Sequence, residues 1–431
     1  MARKTIDILY GSFICLKVKK QTEIGGIMKR HYAWIIAFTG TLVTILAHGF
    51  GRMSYSVILP SMKEGLALNY TQLGSIATGN FIGYLSLAII GGFLAARFGV
   101  RRVVFVSLII IGISLFLTGF SQSFLFAFFM RLISGLGNGG SYVPIMALPA
   151  AWFVMRKRGL ATGIVSGGIG MGLFISGIIL PPIISAFDKE GWRYAWFVLG
   201  IAVFVLAFVC LVFLRNTPQE KGLSMYGGQE EQKGGPKVTL FSAFRDVVIE
   251  PEIWKLGCVY FMYGFSYIIY LTFFMAYLTK EIGIPSIAAG RIFAFLGIIS
   301  IFCGVIYGWI SDVLGRKYGS MIAYINLAIS YIIFFVWKDA AGFYVSAFVF
   351  GIAAFSIPTI MAAASGDAVG GRLAPAGLGF ITLFFGIGQA LGPFIGGWLK
   401  DATGTFTHAF ALSAAVSLLG AAGSLILRKK V

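Results

Sequence analysis

The stretch Gly91-Gly-Phe-Leu-Ala-Ala-Arg-Phe-Gly-Val-Arg-Arg102 decides the fold of this chain, because a related stretch follows about half a chain length later. That second stretch reads Gly308-Trp-Ile-Ser-Asp-Val-Leu-Gly-Arg-Lys317. Each copy closes the second long apolar run of its half of the sequence. The repeat therefore predicts a duplicated protein, with six long helices followed by six more.

The composition places these helices in a membrane. Hydrophobic residues make up 58% of the 431 positions, charged residues 12%, and the mean hydropathy is +0.88. Apolar runs of about 18 residues or more are typical of transmembrane helices. We therefore expect an all-α integral membrane protein whose twelve transmembrane helices span 33–60, 70–96, 102–121, 123–151, 158–184, 192–214, 253–279, 286–311, 318–337, 341–365, 374–399 and 404–427.

A polar segment divides the two halves. Residues 216–251 are rich in Gly, Gln, Lys and Glu, a composition typical of a flexible linker. We expect the N-terminal half at 33–215, the C-terminal half at 252–431, and a cytoplasmic N-terminal extension at 1–32. Residues 1–27 are interpreted either as part of that extension or as the product of an upstream start codon, because Met28 directly precedes the first long apolar run.

The positive charge is distributed unevenly along the chain. The formal net charge is +18, and most of the 34 Lys and Arg lie in segments on the side of the chain termini. Cytoplasmic loops carry the excess of positive charge in membrane proteins. We therefore predict both termini in the cytoplasm and the protein in the cytoplasmic (inner) membrane, in contact with lipid. This distribution argues against a nucleic-acid partner, and a monomer suffices for the predicted architecture.

Cofactor and enzyme chemistry have no support in the sequence. Four scattered cysteines and three histidines show no metal-ligand spacing, and no nucleotide-binding P-loop is present. We predict no metal, no cofactor and no enzymatic activity.

The two cassettes resemble the loop motif of the major facilitator superfamily, found between spans two and three and again between spans eight and nine. The second copy matches at Gly308, Asp312, Gly315, Arg316 and Lys317, whereas the first has Ala96 where the family usually has Asp. The resemblance implies a transporter and a gating role for both loops. Because the first copy lacks its acid, we expect gating to depend more on Asp312; a role in orientation by charge stays open. The expected gating residues are Arg97, Gly99, Arg101, Asp312, Gly315 and Arg316.

Further stretches extend the resemblance over most of the chain. Arg131-Leu-Ile-Ser-Gly-Leu-Gly137 resembles the superfamily motif of span four, and Arg158-Gly-Leu-Ala-Thr-Gly-Ile164 resembles span five of the oxalate/formate antiporter and monocarboxylate transporter branch. Gly49-Phe-Gly-Arg-Met-Ser-Tyr55 is more similar to the YbfB-type permeases. The family implies alternating access, with spans one, four, seven and ten around the cavity.

Arginines inside the spans indicate the cargo. Arg52, Arg131 and Arg291 lie within apolar runs, and no Asp or Glu lies in the middle of any predicted span. Ionisable groups in hydrocarbon are costly and mark substrate paths, and guanidinium binds carboxylate in bidentate geometry. We expect a small organic anion, a mono- or dicarboxylate, although these arginines could instead join helices through backbone carbonyls. The expected substrate-binding residues are Arg52, Arg131, Arg291, Tyr55, Asn80, Tyr142, Tyr267 and Gln389.

His48 is the titratable side chain that lies deep in a span and ionises near neutral pH. It stands four residues before Arg52 on the same helix face, and we predict a role in proton coupling. Packing without protonation, and anion exchange without protons, stay open. The alternative function is proton-coupled efflux of lipophilic or cationic compounds, which a carboxylate in span one or four would favour and which this sequence lacks.

Overall fold

The computed structural model describes residues 31–228, 240–370 and 373–428, and these form a bundle of long helices. The predicted all-α class is confirmed, and each predicted span overlaps one helix. Most of the predicted N-terminal extension, together with residues 229–239 of the linker, lies outside the described residues. The helices are α1 (Tyr32–Gly65), α2 (Tyr70–Phe98), α3 (Val100–Thr118), α4 (Phe124–Ala147), α5 (Met155–Ala186), α6 (Gly191–Phe213), α7 (Pro251–Glu281), α8 (Ser286–Ser300 continued by Cys303–Leu314), α9 (Arg316–Val336), α10 (Ala340–Val369), α11 (Ala374–Thr403) and α12 (Thr407–Ser424).

Most of these helices are long and apolar enough to cross a membrane. Among the described residues nine qualify, and up to eleven do if the bent helices α2 and α8 each count as one span. The helix that does not qualify is α4, which has 24 residues and carries Arg131 and Asn138 in its middle. Twelve spans therefore stay a prediction. The polar residues that lower the mean hydropathy of α4 also make this helix a candidate for the functional site.

The helices form two halves, α1–α6 and α7–α12. Within the first half α2 and α3 both pack on α4, and α3 packs on α6; within the second half α9 and α7 pack on α12. The halves meet where α2 packs on α11 and α5 packs on α8. These contacts involve the second and the fifth helix of each half.

The two halves touch at one face of the bundle and diverge toward the other. We call the face where α1 begins and α12 ends the terminal face, and the other the opposite face. Along α5 and α8, a Cβ on Gly177 would lie 2.6 Å from Gly290 O and one on Gly170 2.5 Å from Gly297 O. A Cβ on Gly167 would lie 3.5 Å from its nearest neighbour, and none lies within 4 Å of Gly163. The halves are therefore closed at the opposite face and separated at the terminal face.

The first helix changes its winding in the middle of the bundle. Residues Ile45–Met53 of α1 form a π-helix, between α-helical Tyr32–Thr44 and Tyr55–Gly65. The π-segment approaches α5 so closely that a Cβ on Gly49 would lie 2.5 Å from Gly172 Cα. Wide turns of this kind loosen the backbone ladder and are frequent at functional sites. The π-helix therefore marks the segment that carries His48 and Arg52 as a candidate functional site.

The linker is more structured at its ends than its composition indicates. Pro218–Lys221 forms a 3-10 turn and Leu240–Ile249 an α-helix. Between them Tyr226 folds back on the first half, where its N–H donates to Trp152 O at 2.8 Å and its ring packs edge-on against Trp34. Contacts of these aromatic rings order a segment that the Gly- and Lys-rich composition predicted to be flexible.

Candidate functional site

Arg52 lies on the π-segment of α1 with its side chain buried. Its Nη1 is 3.4 Å from His48 Nε2, and its guanidinium carbon lies 4.2 Å from the centre of the Phe81 ring and 4.9 Å from that of Tyr84. Both rings belong to α2 and hold the guanidinium by cation–π contact. Nε and Nη2 have no hydrogen-bond partner in the described part of the chain. These two atoms form one edge of the planar group, the geometry that binds a carboxylate through two parallel bonds.

Arg131 has a different environment. From α4 it donates through Nη1 to Gly51 O at 2.7 Å and through Nη2 to Arg52 O at 3.5 Å. Its guanidinium also lies 5.2 Å from the ring centres of Tyr55 and Trp196. Arg131 thus joins α4 to α1 through backbone carbonyls, the alternative that the sequence left open, and it fixes the backbone that carries Arg52.

Two amides extend the polar cluster between α2 and α4. Asn80 Nδ2 donates to Arg131 O at 3.1 Å, and Asn138 Nδ2 donates to Asn80 Oδ1 at 3.4 Å. Both side chains are buried. The amides bind each other and the backbone of Arg131, so Asn80 supports the arginine pair. Tyr55 is likewise engaged, since its hydroxyl donates to Leu73 O at 2.8 Å.

His48 lies against two phenol rings. Its ring centre is 4.0 Å from that of Tyr142 and 5.7 Å from that of Tyr84. The side chain is 3% exposed, and Nδ1 has no hydrogen-bond partner among the described residues. One nitrogen therefore meets Arg52, and the other is unpaired in the described residues.

The second half contributes an aromatic and amide surface. Tyr263, Tyr267 and Phe385 stack nearly parallel, with 4.5 Å between the ring centres of the two tyrosines. Gln389 of α11 donates from Nε2 to the Tyr267 hydroxyl, and its Oε1 is buried without a partner in the described residues. Leu271, one turn after Tyr267 on α7, lines a small cavity together with Arg52. Thr78 of α2 donates through Oγ1 to Ala390 O, next to Gln389 on α11. The phenol–amide pair therefore lies across the interface between the halves from the cationic group.

The space beside Arg52 is small in this conformation. A cavity of about 20 Å³ is lined by Arg52, Tyr55, Asn80 and Arg131 of the first half and by Thr272 of the second. That volume suffices for about one water molecule, so an organic ligand needs the helices to move apart.

Arg291 lies apart from this cluster. Its side chain is exposed and lines a separate cavity of about 270 Å³ with Lys338 and Asp339, near the α9–α10 connection at the opposite face. The prediction that Arg291 binds the same substrate as Arg52 gains no support from this placement. The position of Arg291 in the sequence gave its depth along α8 but could not give the direction in which its side chain points.

Comparison with known proteins identifies the family. The profile of the Major Facilitator Superfamily matches residues 41–318 and 256–430. The chain belongs to this superfamily. It is a transporter, and not an enzyme, as predicted. Similar proteins include a probable sulfoacetate transporter of Cupriavidus necator, SauU, with 26% identity over 87% of this chain and 89% of the relative. Another is monocarboxylate transporter 12-B of Danio rerio, with 26% identity over 79% of this chain and 72% of the relative.

A solved structure has the same fold. A bacterial homologue of the human lysosomal transporter Spinster, in an inward-facing and unoccupied conformation, aligns with a TM-score of 0.72. The alignment covers 93% of this chain and 99% of that one at 18% identity. At this identity the match establishes the all-helical major facilitator fold and nothing about the cargo.

The two superfamily cassettes have matching backbones. Gly99 ends α2 and Gly315 ends α8, with φ of +84° and +88°. Only glycine adopts such angles without strain, so the same tight corner explains the glycine in both copies. In the second copy Arg316 bonds Asp312 through Nη1 at 2.6 Å and Asp367 of α10 through Nε at 3.1 Å. These ion pairs lie within the second half.

The first cassette obtains its cap from the linker. Asn216 Oδ1 accepts from Arg101 N at 3.0 Å, at the first turn of α3, and Asn216 Nδ2 donates to Glu220 at 2.8 Å. Arg101 Nε donates to Leu211 O at 2.8 Å, and Arg97 is exposed. Asn216 thus provides the capping acceptor where the first cassette has Ala96. The sequence signal for this cap was an Asn just after α6, and such a residue is too common to identify a cap by itself.

The opposite face carries contacts between the halves that the sequence did not predict. Asp401 at the end of α11 accepts from Tyr70 N at 3.1 Å and from Thr71 N at 2.7 Å, at the start of α2. Lys280 of α7 pairs with Glu64 of α1 at 2.5 Å. We call Asp401, Thr71, Lys280 and Glu64 the opposite-face latch. Because its members lie far apart in the sequence, the residues around Asp401 showed only an acidic residue followed by a turn, and they did not show its partners.

Proposed function

We propose that this superfamily member is a secondary active transporter that moves a small organic anion, a mono- or dicarboxylate, across the cytoplasmic membrane by alternating access. The observation that carries the proposal is the unpaired edge of Arg52. A buried guanidinium with two free donors is costly unless an anion accepts from them. Arg131 lies beside it with its Nη groups on carbonyls, and no Asp or Glu is found among the buried residues around both in the described part of the chain.

The relatives favour the same class of cargo. The similar proteins named above are a probable sulfoacetate transporter and a monocarboxylate transporter, and both names denote small organic anions. At 26% identity these names support the class and leave the individual compound open. The unpaired Arg52 edge adds the chemistry that such an acid requires.

The membrane arrangement completes the proposal. We count α4 as the twelfth span, because its buried Arg131, Asn138 and Ser134 bond inside the bundle, where lipid does not reach them. Lys and Arg concentrate at the terminal face, and by the positive-inside rule this charge supports a cytoplasmic position for that face and both termini. The structure is then closed to the outside and separated at the cytoplasmic side.

Alternating access follows from the two-half architecture. Substrate enters between the halves, binds near the π-segment of α1, and is released when the halves rock to open the other face. His48 beside Arg52 accommodates proton symport, because an anion bound to Arg52 favours protonation of the adjacent imidazole. Anion exchange uses the same site without this protonation.

Purified protein in detergent tests the proposal by thermal shift. A ligand that binds only the folded state raises the melting temperature. We expect small carboxylates or sulfonates to raise it, and Arg52→Lys, which keeps the charge and loses the planar edge, to abolish the shift. The matched control is Arg193→Lys, since Arg193 also donates to backbone carbonyls, of Gly119 and Ser121, but lies outside the cluster. Stabilisation by lipophilic cations alone would contradict the proposal and favour drug efflux.

A further inference from the structure

Two of the buried polar groups without a hydrogen-bond partner in the described residues lie near the interface between the halves, one in each half. One is the Nε–Nη2 edge of Arg52 on α1, and the other is Oε1 of Gln389 on α11; both are buried. Buried polar atoms are nearly always paired. Together the two groups therefore describe the complementary chemistry of a ligand that lies between them.

The Arg52 side specifies a single acid group. The remaining Arg52 nitrogen, Nη1, meets His48, and both Nη atoms of Arg131 donate to carbonyls, which leaves Arg131 Nε as a single unpaired donor. The Arg52 edge is therefore the one of the two guanidinium groups with two free donors side by side, which matches one carboxylate or sulfonate. Lys and Arg are missing from the buried residues of the second half, so a second acid group finds no cation among the described core residues there.

The Gln389 side specifies a hydrogen-bond donor. The amide nitrogen is engaged by the Tyr267 hydroxyl, which fixes the amide and leaves Oε1 as an acceptor. An acid group has no proton to give to it at neutral pH, whereas a hydroxyl group does. Gln389 is fully buried, so an unfilled acceptor here is costly.

A row of aromatic rings adjoins Gln389 through Tyr267. Tyr260 and Phe385 stack at 4.5 Å, in line with Tyr263 and Tyr267. Their planes lie within 5–12° of one another where they stack. A row of parallel rings offers an apolar wall for carbon atoms between the two polar ends.

We infer that the substrate is a hydroxy acid with one acid group, bound through its acid to Arg52 and through a hydroxyl to Gln389 Oε1. The inference rests on the proposed function and narrows its cargo. Because the two anchors belong to different halves, such a ligand connects the halves, and an acid without the hydroxyl leaves Gln389 unpaired.

Matched acid pairs test this inference by thermal shift and by competition for uptake into proteoliposomes. The pairs are lactate against propionate and gluconate against hexanoate, with alanine and malonate as further probes. In the wild type we expect at least one hydroxy acid to bind about tenfold or more tightly than its partner, because the site's acceptor would otherwise be unpaired. In Gln389→Met the ratio falls to about 1, since no acceptor is left to satisfy. Ser346→Ala, which removes a buried hydroxyl bonded to Tyr270 in the same half, keeps the wild-type ratio.

Each other outcome has a distinct meaning. Equal binding within both pairs, strongest binding of malonate, or a preference for alanine would overturn the hydroxy-acid class. A hydroxyl preference that survives in Gln389→Met would overturn the role of Gln389. Absence of binding by every acid, or binding that survives Arg52→Lys, would contradict the proposed function itself, and the inference with it.

Discussion

Asp401 and Thr71 join the two halves of the transporter, since the Asp401 carboxylate at the end of α11 accepts from Thr71 N at 2.7 Å and from Thr71 Oγ1 at 2.6 Å in the first turn of α2. The N-terminus of a helix carries unpaired N–H groups and partial positive charge, so a carboxylate there is favourable. The cap therefore stabilises the conformation in which the opposite face is closed, and it is lost when the halves separate there.

Asp401→Ala is expected to favour opening at the opposite face. A lost cap costs about 1 kcal/mol, which corresponds to about a fivefold shift in the equilibrium. The measurement is the rate at which an impermeant maleimide labels Thr272→Cys, a buried position beside the central cavity. The background lacks Cys15, Cys210, Cys258 and Cys303.

The control for the latch is Asp339→Ala. Asp339 caps α10 by accepting from Gly342 N at 2.8 Å, so this variant loses the same kind of bond within one half. We expect labelling of Thr272→Cys to become faster in Asp401→Ala and to stay at the starting rate in Asp339→Ala. Equal rates in both variants would show that Asp401 has no part in closing the opposite face.

Arg131→Lys is expected to destabilise the fold, whereas Arg52→Lys is expected to affect ligand binding. Lysine loses the planar fork that reaches the carbonyls of Gly51 and Arg52 and leaves buried acceptors unpaired, at a cost of about 2 kcal/mol. Melting in detergent without ligand measures this. If Arg52→Lys lowers the ligand-free melting temperature as much as Arg131→Lys does, the division of roles between the two arginines is wrong.

His48→Gln tests proton coupling. Glutamine keeps hydrogen-bonding atoms beside Arg52 but does not titrate near neutral pH. We expect the proton influx that accompanies anion uptake to be lost while exchange of internal for external anion continues. A pH-sensitive dye and a radiolabelled anion, followed in the same proteoliposomes, measure the two fluxes. Proton influx that persists in the variant would exclude His48 as the coupling group.

Asn216→Ala tests the cap that the linker supplies to the first cassette. Loss of the bond to Arg101 N is expected to lower the free energy of unfolding by about 1 kcal/mol. Melting in detergent measures the change. Glu220→Gln is the matched variant, because it keeps the oxygen that accepts from Asn216 and leaves the cap in place. A wild-type melting temperature for Asn216→Ala would mean that the linker contact is not stabilising.

The sequence predicted the fold well and the site only in part. Gly99 and Gly315 were visible as a repeat, and the structure gives both the same positive φ, so local backbone geometry explains why the motif could be read. Arg52, Tyr267 and Gln389 were expected to bind one substrate, which stays a prediction; the structure places them on α1, α7 and α11. Arg291 had the same signal as Arg52, an arginine in an apolar run, yet it lies in a separate exposed cavity.

Hydropathy, charge distribution and the repeat are properties of consecutive residues, and they were enough to determine an all-helical membrane protein with two related halves. Burial of apolar side chains and internal pairing of backbone groups leave few other solutions in a membrane. The tertiary structure alone decided that Arg52 has two unpaired donors on one edge, that Asn216 caps α3, and that Asp401 reaches α2. These are contacts between residues far apart in the chain, and their energies depend on side-chain directions that sequence spacing does not specify.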